Sequence, residues 1–380
     1  MFKYITILFF AVMLSANCFS QTFDLLISTP IDESSHAVTE FEDGSFLINY
    51  CEASPHWFGH PFNCKLLKIS QDGDIVDSLS FENLTAKPVS VEGFINHQNS
   101  IFIFGSLANY SDKINTPFLA KMDEAFNFEF FTVFDTLIAD CYFESGFINQ
   151  QGNLILIGKD FKTWNTFIYE LTPSGKVLYS TTLMNFKGIV SVVEMPYRGG
   201  YYLLTDNNVK EFNYLLEEES FNFQRDFKFK FYGSKPLTDS TFIVLGTYNR
   251  DLGMEKRNNV GCKIFSDNFD ALDSMEFLSP DYNNDITYYQ NPVDFISRDS
   301  IFLSFTKNLN SQFGWGYGKR DHWYGLYNMK EDGSMNWQRY YGGDAYYILR
   351  SLMATRDGGA IMIGSRWDWR NNPIEERDIY

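Results

Sequence analysis

The 380-residue chain sets 48 Asp and Glu against 31 Lys and Arg, a net charge of −17, which argues against nucleic acid and anionic membrane surfaces as partners. Its 38 Phe and 23 Tyr, with no Ala-rich helical stretch and no Pro/Ser/Gly-rich linker, suit pleated, half-buried strands. One repetitive all-β body is expected rather than several domains.

Residues 1–20 read as a secretory signal. Lys3 is the only charge there, an apolar stretch runs through Ile5, Leu8, Phe9, Phe10, Val12 and Leu14, and small or polar residues close it (Ser15, Ala16, Asn17, Ser20). The run is too short to span a bilayer, and polar sequence follows it. Cleavage is expected after Ser20, leaving Gln21 first. A lipoprotein reading of Cys18 is disfavoured, because Leu is missing three residues before it and Asn17 stands immediately before it. No second apolar segment follows, so the expectation is an exported, soluble monomer without a membrane span, secreted or at the cell surface, with the periplasm as the alternative. The mature net charge becomes −18, of which residues 301–380 hold +1 and residues 21–300 hold −19.

After a lead-in strand at Thr22–Ser28, one strand type recurs: a turn residue, four or five apolar residues, then often Gly. It begins at Gly44, Asn99, Gly152, Gly200, Ser240, Ser300 and Gly359, with spacings of 55, 53, 48, 40, 60 and 59 residues. Short continuous apolar runs bounded by turns describe strands buried on both faces. Six of the seven follow a less apolar strand (Ala37–Glu42, Val89–Ile95, Tyr142–Ile148, Val190–Met195, Val293–Ile296 and Ile348–Ala354). Five precede a tight hairpin, at Gln71-Asp72-Gly73, Asp123-Glu124-Ala125, Pro173-Ser174-Gly175, Asp267-Asn268 and Glu331-Asp332-Gly333. The unit is four antiparallel strands, a to d, per roughly 50 residues, the pattern of a propeller blade. A single β-propeller of about seven blades is expected over residues 21–380. Unit seven reaches only Asp378-Ile379-Tyr380, so the strand at residues 22–28 is expected to close the ring as the outer strand of the last blade.

The last two units carry a resemblance. Gly325-Leu-Tyr-Asn-Met-Lys-Glu-Asp-Gly-Ser-Met-Asn-Trp-Gln-Arg-Tyr-Tyr-Gly-Gly343 and Leu352-Met-Ala-Thr-Arg-Asp-Gly-Gly-Ala-Ile-Met-Ile-Gly364 resemble the repeat of secreted β-propeller proteins of Bacteroidetes-type bacteria. The resemblance implies a propeller fold and export. Many members of that family look like type IX secretion substrates with a C-terminal sorting domain, and these 380 residues contain no such domain.

Strand order puts all b–c and d–a loops on one face. Three b–c loops are long: Cys51–Asn63, Lys307–Trp323 and Ser365–Arg377, in units that become neighbours on closure. They hold Trp57, Trp315, Trp323, Trp367 and Trp369, five of seven Trp, together with His56, His60, His322, Phe58, Phe313, Tyr317, Arg320, Arg366 and Arg370. Exposed aromatics on irregular loops offer stacking faces for a glycan or anchors for a protein ligand. The competing reading is that they pack the loops onto the blades.

His56 and His60 lie among Pro55, Gly59 and Pro61, so helical register does not apply and no metal or other cofactor is expected. The inner-strand acids Glu40, Glu92, Glu144, Glu194 and Asp294 leave open a glycoside hydrolase or lyase in the central channel, but one acid per blade is ordinary. No nucleophile elbow, zinc-protease helix or nucleotide-binding glycine loop occurs. A non-catalytic binding module is therefore expected ahead of an enzyme or a structural spacer. Cys51 and Cys64 flank the first long loop and are expected to form a disulfide at its base. Cys141 and Cys262 read as buried thiols.

Overall fold

The computed structural model describes residues 23–29, 32–53, 63–109, 114–134, 140–160, 162–184, 189–205, 208–221, 228–251, 256–277, 291–307, 321–371 and 377–380. They form seven small antiparallel sheets arranged as a seven-bladed β-propeller. Residues 1–20, expected from the sequence to be a secretory signal, lie outside the described residues.

Blade 2 shows the plan, with inner strand Val89–His97, then Ser100–Asn109, Ile114–Asp123 and outer strand Phe128–Val133. The inner strands start blades 3 to 7 at Cys141–Ile148, Ile189–Met195, Phe229–Thr238, Val293–Ser297 and Tyr346–Ala354. Most neighbouring inner strands touch; Val38–Glu40 of blade 1 meets both Val89–His97 and Tyr346–Ala354.

The apolar b strands follow from this geometry. Successive side chains point to opposite faces of a strand, and here each face meets another blade. Ile101 and Ile103 join the core shared with blade 1, whereas Phe102 and Phe104 join the core shared with blade 3. Leu154 and Leu156 face blade 2, and Ile155 and Ile157 face blade 4. Every boundary between blades has an apolar cluster of its own.

Closure follows the expected route. Ile27 pairs antiparallel with Ile379, with backbone bonds of 3.0 and 3.1 Å in the two directions. Phe23, Leu25 and Ile27 then join Phe46, Ile48, Ile363 and Ile379 in the core between blades 7 and 1.

Three local features depart from the sequence reading. Blade 5 has an inner strand, Phe229–Thr238, that its pattern concealed: register shifts at Phe231/Gly233 and Pro236/Thr238 interrupt the alternation. Blade 4 has a c–d hairpin between Val209–Asn213 and Glu218–Glu219, with Leu216 at φ 60° where a glycine signal was absent. In blade 1 the inner edge is split into Asp32–Ser34 and Val38–Glu40, both paired with Phe46–Ala53. Buried Asn49 bridges the break: its Oδ1 accepts from Ser35 Oγ (2.9 Å), His36 N (2.8 Å) and Ala37 N (2.9 Å). Its Nδ2 donates to Val91 O of blade 2 at 2.9 Å.

The glycine that ends many b strands has a steric cause. A Cβ on Gly105 would lie 2.0 Å from Ser90 O, on Gly246 2.0 Å from Lys230 O, and on Gly364 2.2 Å from Ile348 O. Each of those carbonyls is pushed forward by a bulge in the inner strand. Gly105→Ala is therefore expected to destabilise by about 1–3 kcal/mol or more through overpacking. Gly152→Ala, at φ 80° with nothing within 4 Å of the added atom, should cost about 1 kcal/mol through backbone strain alone. Denaturant titration of the two variants checks the order.

Cys51 and Cys64 face each other across strands b and c of blade 1, with Cα atoms 4.0 Å apart, and form a disulfide. Cys141 and Cys262 are free and buried, and burial pushes both thiols up to about 12. Replacing Cys51 and Cys64 together by Ala should lower unfolding free energy by about 2–3 kcal/mol, the value for a short closed loop. Equilibrium denaturation read beside the reduced parent protein checks it: reduction and mutation should cost the same.

Candidate functional site

In five of the seven blades an inner-strand bulge places one residue out of the ladder, near the face that carries the b–c loops. Glu92 is skipped between Val91 and Gly93, Glu144 between Phe143 and Ser145, Val190 between Ile189 and Ser191, Tyr232 between Phe231 and Gly233, and Arg350 between Leu349 and Ser351. In blade 1, His36 stands in the break that Asn49 bridges. In blade 6 the inner strand begins only at Val293. A bulge re-aims a side chain that regular pairing would turn into the sheet. In ring order these residues are Arg350, His36, Glu92, Glu144, Val190 and Tyr232; the first four are ionisable, and Val190 packs against the core between blades 4 and 5.

The charged arc is a connected unit. His36 Nδ1 lies 3.5 Å from Glu92 Oε2, with side chains 25% and 16% exposed. Ser90 Oγ donates to Glu92 Oε1 at 2.8 Å. Lys159 Nζ lies 3.1 Å from Glu144 Oε2, and Tyr142 OH donates to the same oxygen at 3.2 Å.

The two carboxylates are displaced in opposite directions. Burial pushes Glu92 up, but the bonds from His36 and Ser90 and the Arg350 charge outweigh it, so its acidity ends below the usual range. Burial also pushes Glu144 up. Lys159 and Tyr142 only partly oppose this, Glu92 adds to it, and Glu144 stays raised. Two carboxyl groups in one mouth thus divide into a held anion and a group that retains its proton to higher pH.

The other inner-strand acids have a structural task. Glu40 Oε2 accepts from Arg356 N of blade 7 at 3.0 Å. Glu194 accepts from Gln150 N of blade 3 at 3.0 Å through both oxygens, and from Tyr214 OH at 3.1 Å. Asp294 accepts from Ala354 N of blade 7 at 2.7 Å and pairs with Lys235 of blade 5. These three acids tie neighbouring blades together.

His56, Trp57, His60, Trp315, Tyr317 and Arg320 lie outside the described residues. The described remainder of the Trp-rich set is largely packed. Trp367 is 6% exposed and stands edge-on to Tyr346, with ring centroids 6.0 Å apart and Trp369 half-buried against it. Trp323 is half-buried, its indole against the backbone of Gly343, where a Cβ would come within 2.0 Å of Nε1. His322, 1% exposed, stacks on Tyr346 at 4.3 Å. Arg366 donates to Tyr347 OH and Asp344 Oδ2, each at 3.1 Å. Arg370 covers Trp369 at 4.3 Å and donates to both Asp321 oxygens at 2.5 Å. Within the described residues this network fastens the loops of blades 6 and 7 to each other, and Trp367 has no open face for stacking.

Among the described residues, no cluster of three or more His, Cys, Asp or Glu has the geometry to hold a metal ion. No helix is long and apolar enough to cross a membrane.

Searches against known proteins give the fold. No protein-family model matches the chain, and no curated protein matches it. Among solved structures it is similar to YCF48 from Cyanidioschyzon merolae, at 9% identity and TM-score 0.53, covering 94% of this chain and 98% of that one. It is also similar to the β-propeller domain of the Trilobed protease from Pyrococcus furiosus, at 10% identity and TM-score 0.49, covering 91% of each chain. At such identities the likeness defines a class, the β-propellers, and nothing narrower.

The held anion has a pH signature. Glu92 is depressed in the folded state, so its contribution is present above the unfolded carboxyl value, 4.5, and is lost as pH falls through the lower folded value. Glu92→Gln should cost about 1–3 kcal/mol at pH 7, with the difference from the parent protein shrinking towards zero as the pH is lowered well below 4.5. Thermal unfolding across that range checks the sign.

Proposed function

We propose that the chain is an exported, non-catalytic propeller that binds a neutral glycan at the channel mouth. The observation that carries this reading is the charged cluster at the bulges, where His36 and Arg350 act on Glu92 and Glu92 acts on Glu144. Arg350, His36, Glu92, Glu144 and Lys159 supply mixed donors and acceptors on one arc, and Tyr232 supplies an aromatic ring on the other. Sugars present hydroxyl groups to the first kind of surface and C–H faces to the second. The mature net charge of −18 disfavours a polyanionic ligand. Export is supported by the apolar leader at residues 1–20, by the resemblance of the last two units to secreted Bacteroidetes-type propellers, and by a disulfide, a bond typical of oxidising compartments.

One observation favours a second reading, a glycoside hydrolase at the same mouth: the opposite displacement of Glu92 and Glu144 matches an acid–base division of labour. A glycan array with the mature protein tests both. Binding is expected to weaken roughly tenfold or more in Arg350→Ala and Tyr232→Ala, as for central contact residues, with no product released from any retained glycan. Turnover that disappears in Glu144→Gln would assign the hydrolase. Binding unchanged in both variants would remove the mouth as the site.

A further inference from the structure

Strain at Trp164 is not offset by burial. Among the described residues, Phe126, Trp164, Leu216 and Phe269 are the apolar or aromatic residues whose backbone lies in the left-handed region, with φ of 64°, 60°, 60° and 64°. A bulky side chain resists that conformation, so it persists only where something else holds it. For three of the four the core does so. Phe126 packs against the core shared by blades 1 and 2, Leu216 is 3% exposed and Phe269 is 8% exposed. Trp164 is 46% exposed.

A bonded turn holds it instead. Trp164 lies between strand b of blade 3, Leu154–Asp160, and strand c, Thr166–Leu171. Asp160 Oδ1 accepts from Lys162 N at 2.7 Å and from Thr163 N at 3.2 Å, and Oδ2 accepts from Thr163 Oγ1 at 2.5 Å. The backbone adds two bonds: Trp164 N donates to Asp160 O at 2.8 Å, and Asp160 N donates to Asn165 O at 3.0 Å. The turn is short, unlike the long loops of blades 6 and 7 whose Trp residues pack inwards. Its indole stands on the face of the b–c loops, beside the charged cluster. Lys159 Nζ lies 5.7 Å from the indole centre and 3.1 Å from Glu144 Oε2.

An exposed ring fixed in advance offers a flat apolar surface with little ordering left to do on binding. Two contacts inward are an ammonium donor and a carboxylate acceptor. A chain of sugars presents C–H faces and hydroxyl groups at that spacing. We propose that Trp164 is the stacking platform of an outer sugar subsite, which makes the ligand a neutral oligosaccharide of at least two units. One unit lies against the indole and the next reaches the cluster at Lys159 and Glu144. This rests on the glycan reading given above and extends it outward along blade 3.

The probes are four series of neutral oligosaccharides, β-1,4-glucan, β-1,4-mannan, β-1,3-glucan and α-1,4-glucan, each of one to six units, titrated into the mature protein by calorimetry. At least one series should bind with an affinity that rises with length. In Trp164→Ala the longest member of that series should bind roughly tenfold weaker or worse, and the gain with length should vanish. Trp164→Phe, which keeps a ring, should retain most of the affinity. Trp164→Gly removes the strain along with the ring, so it should lose the same binding while its melting temperature equals or exceeds that of the parent protein. Arg350→Ala separates this proposal from the reading it rests on. Binding weakened in Arg350→Ala but unchanged in Trp164→Ala would overturn the platform and leave the mouth; the reverse pattern would support the platform and remove the mouth. A lower melting temperature in Trp164→Gly would assign the ring to packing and overturn the proposal, as would the absence of length-dependent binding in all four series.

Discussion

The charged cluster depends on one backbone irregularity, repeated in five of the seven blades. An inner strand that carries an extra residue must push a carbonyl towards its neighbour, and only a residue without Cβ leaves room for it. Gly105, Gly246 and Gly364 meet Ser90, Lys230 and Ile348 in this way. In exchange, the extra residue drops out of the pairing ladder. Glu92, Glu144, Tyr232 and Arg350 owe their positions to that trade. Blade 1 reaches the same end differently: Asn49 holds the broken strand with three accepted hydrogen bonds and links it to blade 2.

The rest of the ring is rigid enough to hold such a mouth. Alternating b-strand side chains knit each blade to both neighbours, and Glu40, Glu194 and Asp294 accept backbone N–H groups across blade boundaries. Carboxylates that appear as one per blade in the sequence therefore divide into two populations. Those near the ends of inner strands fasten blades, and those at bulges, Glu92 and Glu144, pair with His36 and Lys159. Ring closure by Ile27 brings the segment Phe23–Ile27 against the last blade and into the core it shares with blade 1.

What the sequence made legible was local. Apolar b strands, Asp-Gly and Ser-Gly turns, and the lead-in strand all carry their signal within a few residues, and together they define seven blades and their closure. Blade 5's inner strand was hidden because Gly233 and Pro236 sit beside its two bulges, where they read as breakers. The mouth was not legible, because a bulge is defined by cross-strand register. Its trace was the recurrent glycine at the end of strand b, visible in the repeat but without a cause until its neighbouring carbonyl was seen. The Trp-rich loops gave the opposite lesson. Trp367 and His322 look like exposed recognition residues by composition, yet they are 6% and 1% exposed, because long loops need aromatic ballast of their own.

The central claim is that the bulges bring Glu92 and Glu144 into one electrostatic environment that separates them. Carbon-13 NMR titration of glutamate-labelled protein, with the two side chains assigned through Glu92→Gln and Glu144→Gln, measures this directly. Glu92 should titrate below, and Glu144 above, the ordinary glutamate value of 4.5, and removing Glu92 should draw Glu144 back towards it. If both groups titrate at the free value and ignore each other's removal, the bulges do not build a shared site.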